Sequence, residues 1–565
     1  MPSPSHSLKL IVVFGLIALG GFTLPNQSSS KLLALVKPTG INFLSPLTRI
    51  FKPTELSVDT PSNIATFANL ADYFITPNIK LLENEAESLQ VVLNLNQPHR
   101  ASLDYSILLN GQLANDLTLE LYQVDFVPVT YQVYSRSDDL SPMGLYSDPL
   151  VPYRAGEMVS SSEPTIWWLT ARAAETARTG TYSIVLNLTV NGRPVVKTFE
   201  VQVLNYRLPK QSAFKLVLNT KFNEVIVGYT PFDYHGAQTV EEKAAVVRNY
   251  LVYFSRNRMS HSVPYFDPAC TSCSYNNPNG MSLPVTGLDL TADTINIDFS
   301  SFDTFNQANF DTGNMNFLRM FASSWGFYQF KLPLIYGDQL IKQNDIEKYT
   351  QIQKLYWKAV ANHLRQRGWQ DESFVYIDEP FGSSRNGTYI PYNNTFTNIL
   401  KEVSPETSVV ALIDDRATSF TNLLGSMQNI DYYAPIEYIP EYLWTANGKV
   451  NPWRALKPII QSLMDPTDKF GTYWTSNGHI HLDRPAIDSR IWGWKFWKNK
   501  IEFLYHWDVS MFAYDVAQGK TNPWNSVSYK WGAGGSTLFY PPCKTGRCAT
   551  FTPNVIPSIR SELYR

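Results

Sequence analysis

The chain changes texture at Leu208-Pro209, and that change limits what it can fold into. Before it, from about Leu56, short runs rich in Val, Ile, Leu, Thr and Tyr are broken by turn residues, as in Gln90–Leu95, Leu117–Tyr122, Tyr182–Val190 and Lys197–Val203. Period-two alternation at this spacing, with Asn191-Gly192 between the last two runs as a hairpin turn, predicts an antiparallel β-sandwich. After it, strand-like runs alternate with helical stretches. Phe214–Asn219 is followed by the amphipathic Thr239–Arg258, Tyr328–Ile335 by Asp345–Arg367, Phe374–Glu379 by Tyr392–Val403, and Val409–Asp414 by a helix near Ser419–Met427. Ser262–Phe266, Tyr432–Ile436, Phe470–Thr475 and Glu502–Trp507 complete a set of eight strands, the number a (β/α)8 barrel has. A chain of 565 residues also exceeds what one core holds, since single cores stop growing at roughly 250–300 residues. The predicted fold class is multidomain, β plus α/β, with an antiparallel β-sandwich over residues 55–210 and a (β/α)8 TIM-type barrel over 211–565.

The first 24 residues read as a signal peptide or a retained signal anchor. Lys9 precedes an apolar run from Leu10 to Leu24, too short for a confident membrane span, and Ala18, Gly20 and Gly21 offer small residues for cleavage. Residues 25–54 read as a linker, opening with Pro25-Asn26-Gln27-Ser28-Ser29-Ser30. The remainder is expected outside the cytosol, secreted or extracytoplasmic, with no membrane contact beyond that anchor. Lys and Arg number 47 against 49 Asp and Glu, a balance that leaves no electrostatic footprint for nucleic acid. The four cysteines fall as two local pairs, Cys270 with Cys273 and Cys543 with Cys548. In an oxidising compartment two local disulfides are expected, although four cysteines allow three connectivities and this spacing also suits a four-thiolate zinc site. Sequons at Asn26, Asn187, Asn386 and Asn393 permit glycosylation.

Chemistry concentrates in Val375-Tyr376-Ile377-Asp378-Glu379-Pro380, a hydrophobic strand that ends in two adjacent carboxylates and a proline. Each acid raises the other's pKa, so the pair suits chemistry that needs one protonated and one ionised group, as glycoside hydrolysis does. A pair of solvated acids at a loop start is the plainer alternative. In a barrel, catalytic side chains sit at the C-terminal ends of strands, where this pair falls. Other strand ends supply secondary candidates for substrate binding: Trp474 and Trp507 to stack on a sugar face, and Tyr433 to hydrogen-bond the substrate, with core packing the competing role for each. Asp414 and Asp415 end another strand and serve either sugar hydroxyls or the cap of a helix at Thr418-Ser419. His479 and His481 have the spacing of metal ligands on one strand face, but a solvated loop is the preferred reading, and no metal or cofactor is assigned.

With these residues in view, the chain resembles glycoside hydrolase family 123. In the sandwich the resemblance rests on Glu83–Gln90, Gly144–Leu150, and Thr179-Gly180-Thr181-Tyr182 following Pro164–Trp168. In the barrel it rests on Asp378-Glu379-Pro380, Arg490 before a Trp-rich helix, Glu502–Trp507, Asn522-Pro523-Trp524 and Leu538-Phe539-Tyr540-Pro541. The resemblance implies a sandwich joined to a catalytic barrel and an exo-acting, retaining β-N-acetylgalactosaminidase whose substrate supplies its own 2-acetamido nucleophile, with a glycan as the partner. It makes Glu379 the general acid and base, gives Asp378 the task of orienting the acetamido group, and adds Arg490 as a binding residue, whose competing role is to pair with a barrel carboxylate. Another sugar for the same fold, or carbohydrate binding without catalysis, stay open as alternatives. Relatives continue past the position of Arg565 into a long helix and a further region, so the barrel is expected to lack its last helix or the chain to be cut short.

Overall fold

A computed structural model describes residues 40–53, 65–95, 97–130, 142–220, 239–261, 283, 285–311, 315, 317–320, 346–378, 390–413, 426–435, 467–474, 481–482, 486–507, 509–510, 524, 528–529, 532–535, 537–540 and 552–564. Those from Thr39 onward form one compact unit.

Its first layer is a sandwich. A seven-stranded sheet runs in the order Gly40–Leu44, Ala86–Asn94, Thr165–Ala173, Leu117–Val129, Gly144–Pro152, Ile50–Pro53, Ala65–Thr66. It faces a six-stranded sheet in the order Val159–Ser161, His99–Leu109, Gly180–Val190, Arg193–Arg207, Ile79–Glu83, with Gln112–Leu113 also paired to His99–Leu109. Asn191 and Gly192 take positive φ of 50° and 78° and pair Val190 with Arg193, the two-residue hairpin that Asn-Gly favours. The strands Gly40–Leu44 and Ile50–Pro53 lie inside the stretch read as a linker, because Gly40 to Leu44 pair residue by residue with Asn94 to Gln90. The sandwich therefore begins earlier than residue 55.

The seven-stranded sheet is buried on both faces, and the pair Trp167-Trp168 shows why. Successive side chains on a strand point to opposite sides. Trp167 fills the core between the two sheets, while Trp168 packs with Ile559, Leu563 and Ala486 from the far end of the chain. Both indoles are fully buried.

The second layer is a sheet of eight strands, all parallel, in the order Ser260–His261, Lys215–Leu218, Phe503–His506, Lys469–Trp474, Tyr432–Pro435, Ser408–Ile413, Ser373–Asp378, Leu318–Arg319. The sheet curls until residues of its edge strands come within 8 Å, Cα to Cα, yet no ladder joins those edges among the described residues. Helices Val240–Arg256, Ser300–Asp311, Ile346–Arg367 and Ile390–Val403 accompany it, the first opened by a capping box of Thr239 and Glu242. Six of the eight expected strands coincide with, or lie within two residues of, observed ones. The other two, expected at Ser262–Phe266 and Tyr328–Ile335, lie outside the described residues; among those described, Ser260–His261 and Leu318–Arg319 form the two edges of the sheet.

The last described residues tie the two layers together. Phe539–Tyr540 pairs with Ile556–Pro557, and the short helix Ile559–Leu563 follows, capped by Ser558, which bridges to Pro149 of the sandwich. The Arg560 guanidinium is fully buried and donates to both carboxylate oxygens of Asp148, at 2.8–3.2 Å, and to the carbonyls of Gly534 and Thr537. Tyr540 donates to the same carboxylate at 2.6 Å. Gly534, at φ +73°, makes room for it: a Cβ there would stand 2.8 Å from Arg560 Nη1.

Candidate active site

Inside the curled sheet aromatic side chains stack in layers. Phe317 stacks on Phe374 at 4.2 Å and 3°, with Tyr432 and Phe503 edge-on or tilted around them at 5.6–5.9 Å. Gly471, in register with Phe503, is the small residue this crowding demands, since a Cβ would meet the Phe503 ring at 2.8 Å. Ion pairs Lys215–Glu372 (2.7 Å) and Lys469–Glu502 (3.8 Å) lie at the N-terminal end of the strands. Two residues along, Tyr376 stacks on Tyr505 at 5.6 Å. Two further along the first strand is Asp378, its last residue, whose backbone pairs with Leu412. The backbone of Asp378 thus reaches the C-terminal edge of the sheet. Glu379 lies outside the described residues.

The end of another strand of the same sheet, Lys215–Leu218, adds a polar cluster that sequence reasoning passed over. Asn219 ends the strand Lys215–Leu218; its backbone N–H donates to His506 O (2.9 Å), its side chain to Trp507 O (3.2 Å), and its carbonyl accepts from Val509 (3.0 Å). Thr220 follows, fully buried, with no hydrogen-bond partner for its hydroxyl among the described residues. The signal available was a polar Asn-Thr pair directly after an apolar strand, a common enough pattern to go unmarked. Trp507 is half-buried against the sheet core beside this cluster.

Two other candidates are corrected by alternation and by pairing. Tyr432, not Tyr433, shares the inner aromatic layer; Tyr433 is buried on the opposite face and cannot reach a ligand at the strand ends. Arg490 pairs through both Nη atoms with Glu87 of the sandwich, at 2.7 Å for the Nη1 bond, so the carboxylate it meets belongs to the sandwich and not to the barrel. Trp474 stands in register with His506, whose ring turns outward to the C-terminal segment. His481 is buried and uses its carbonyl to accept from Arg49, while His479, Asp414 and Asp415 lie outside the described residues. The two disulfides expected of the cysteines, Cys270 to Cys273 and Cys543 to Cys548, find no counterpart among the described residues, because Cys270, Cys273, Cys543 and Cys548 all lie outside them. Among the described residues no group of three His, Cys, Asp or Glu side chains is arranged to hold a metal ion. A groove lined by Asp293, Gln351, Lys354 and Glu402 lies against the outer helices, not at the strand ends.

His506 was not anticipated as a sensitive group. It is fully buried, its ring meets Tyr564 Oη at 3.0 Å and Gly535 O at 3.4 Å, and burial pushes its pKa down to about 3. A histidine kept neutral in the fold but free to charge at about 6.5 when unfolded destabilises the native state as pH falls from about 6.5 toward 3. Between pH 7 and 4.5 the wild-type protein should therefore lose about 2–3 kcal/mol more unfolding free energy than His506→Gln, measured by denaturant titration at both pH values. Equal losses would show that the ring carries its proton in the fold.

No family model matches the chain, and no curated protein sequence does. Solved structures do match. A family 123 glycoside hydrolase from Clostridium perfringens, which acts in glycolipid glycan hydrolysis, aligns over 93% of this chain and 86% of its own with a TM-score of 0.58 at 14% identity. At that identity the likeness establishes a shared fold, the one the sequence resemblance led us to expect. A family 5 xyloglucanase from Bacteroides ovatus aligns over 81% and 95% of the two chains at TM-score 0.27 and 9% identity. A β-glucuronidase from Bacteroides uniformis aligns over 87% and 50% at TM-score 0.28 and 10% identity.

Proposed function

We propose that the chain is a glycoside hydrolase, secreted or anchored by its first 24 residues, whose eight parallel strands close as a (β/α)8 barrel around a site for a terminal β-linked 2-acetamido sugar, N-acetylgalactosamine in the first instance. The observation that carries the reading is the place of Asp378 in the chain, the last residue of the strand that contributes Phe374 and Tyr376 to the two aromatic layers, immediately followed in sequence by Glu379 and Pro380. Two-carboxylate glycosidases hold their acids about 5–9 Å apart on either side of the scissile bond. Sequence neighbours are poorly suited to flank a sugar in that way. They can instead address the glycosidic oxygen and the adjacent acetamido group. Glu379 then protonates the leaving oxygen and later activates water, while Asp378 orients the acetamido nitrogen and balances the charge of a cyclic oxazolinium intermediate. Trp507, half-buried beside Asn219 after the strand Phe503–His506, is the aromatic surface best suited to the sugar.

Matched chromogenic glycosides test this. The 2-acetamido substrate should turn over and its 2-hydroxy counterpart should be almost inert, because no protein carboxylate attacks the anomeric carbon. A thiazoline analogue of the intermediate should bind at least about a hundredfold more tightly than substrate, and Asp378→Asn should weaken both its binding and turnover. Efficient hydrolysis of the 2-hydroxy compound, or a glycosyl group trapped on Asp378 or Glu379, would exclude substrate assistance. Sugar binding without hydrolysis would make the chain a carbohydrate-binding protein.

A further inference from the structure

The helical span Ala486–Asn499 carries a surface that neither fold nor catalysis explains. Its two helices, Ala486–Arg490 and Trp492–Asn499, continue through Ile491: Ile491 N donates to Ile487 O at 2.9 Å, and Lys495 N to Ile491 O at 3.0 Å. Ile487, Ile491, Trp494 and Trp497 recur at i, i+4, i+7 and i+10, which puts them on one face of the helix. All four are exposed, Trp494 and Trp497 by 68% and 66%. Phe496 points the other way, buried and stacked on Phe214 at 4.8 Å. Only twelve large hydrophobic side chains are exposed among the described residues, and these four fall within eleven positions, so the stripe is a patch and not scatter.

Between Asp488 and Glu502 the charge along the stripe has one sign. From Ser489 to Ile501 the sequence holds Arg490, Lys495, Lys498 and Lys500 and no acid. Arg490 is engaged with Glu87, which keeps its helix against the sandwich; Lys495 lies 4.6 Å from the Trp492 ring, and Lys498 and Lys500 are exposed. The chain-wide balance of 47 basic and 49 acidic residues conceals this local excess.

We infer that this face docks the protein on an anionic lipid surface. Indoles favour the boundary between headgroups and acyl chains, aliphatic Ile487 and Ile491 gain from entering it, and the lysines complement lipid phosphates. A glycan would use the indole faces but has no use for the isoleucines. A second copy of the chain, joined by a two-fold axis, would set the lysine-flanked patch against itself, with like charges facing. The inference does not depend on the glycosidase reading, since it concerns a surface on the outer helices and is read by binding alone.

The test is sedimentation of the full-length protein with phosphatidylcholine vesicles, with and without phosphatidylglycerol. Wild type is compared with Trp494→Ser/Trp497→Ser and with Lys495→Gln/Lys498→Gln/Lys500→Gln. All three carry the same N-terminal apolar run, so differences among them report the helix. Wild type should partition onto the anionic vesicles about tenfold or more strongly than either variant, with added salt erasing the lysine contribution. Equal partition of the three proteins would overturn the inference. So would light scattering that shows wild type as a dimer and the tryptophan variant as a monomer, which would make the face a contact between copies.

Discussion

Glu379→Gln is expected to fold as the wild type does and to lower turnover on a natural glycan by roughly 10²–10⁴-fold, the usual worth of a positioned acid and base. Glutamine keeps the size and hydrogen-bonding reach of the side chain but has no proton to give the leaving oxygen. The loss should therefore depend on the leaving group. On an aryl glycoside whose phenolate departs unaided, formation of the intermediate should be nearly normal, and the defect should shift to the later step in which Glu379 activates water. Asp378→Asn should behave differently, slowing good and poor leaving groups alike, because the charge it removes faces the intermediate and not the departing oxygen. A leaving-group series on both variants, with circular dichroism as the folding control, separates the two roles. Equal sensitivity of the two variants to leaving-group acidity would remove Glu379 from the acid role.

Much of this could be read from sequence wherever the local pattern is also the physical cause. Asn191-Gly192 announces its hairpin because the turn needs positive φ at both residues, and both have it. The strand from Ser373 to Asp378 announces itself by length and by the acids that stop it. Legibility failed where an element is short or its partner is distant in the chain. Leu318–Arg319 is a two-residue strand, too short for any periodicity, so the expectation settled on the more hydrophobic Tyr328–Ile335. Gly40–Leu44 looked like linker because its ladder partner, Ala86–Asn94, begins more than forty residues later. Tyr433 was chosen over Tyr432 because a sequence reveals that neighbours face opposite ways but not which of them faces in. Arg490 drew attention for its place before the tryptophans, yet its partner, Glu87, is 403 positions away in another layer.

The same distance hides the strongest contact between the layers. Asp148→Ala should destabilise the protein by about 3–5 kcal/mol, the cost of leaving a buried charge without its partner. Arg560 has no exposed surface, and three of its contacts are bonds to Asp148. The carbonyls of Gly534 and Thr537 satisfy some of its N–H groups but carry no countercharge. Tyr540, whose hydroxyl donates to Asp148, would lose its acceptor as well. The damage should reach the candidate site. Arg560 sits in the helix Ile559–Leu563, and Tyr564 beyond it holds the His506 ring at the end of the strand that leads to Trp507. An Asp148→Ala protein should thus show a lower unfolding midpoint in denaturant and, below it, weaker sugar binding, although residue 148 lies in the sandwich. A double variant, Asp148→Leu/Arg560→Met, fills the same volume without charge and should recover most of the lost stability. That recovery separates an uncompensated charge from a cavity: if the double variant is no more stable than Asp148→Ala, packing around the pair and not its electrostatics holds the two layers together.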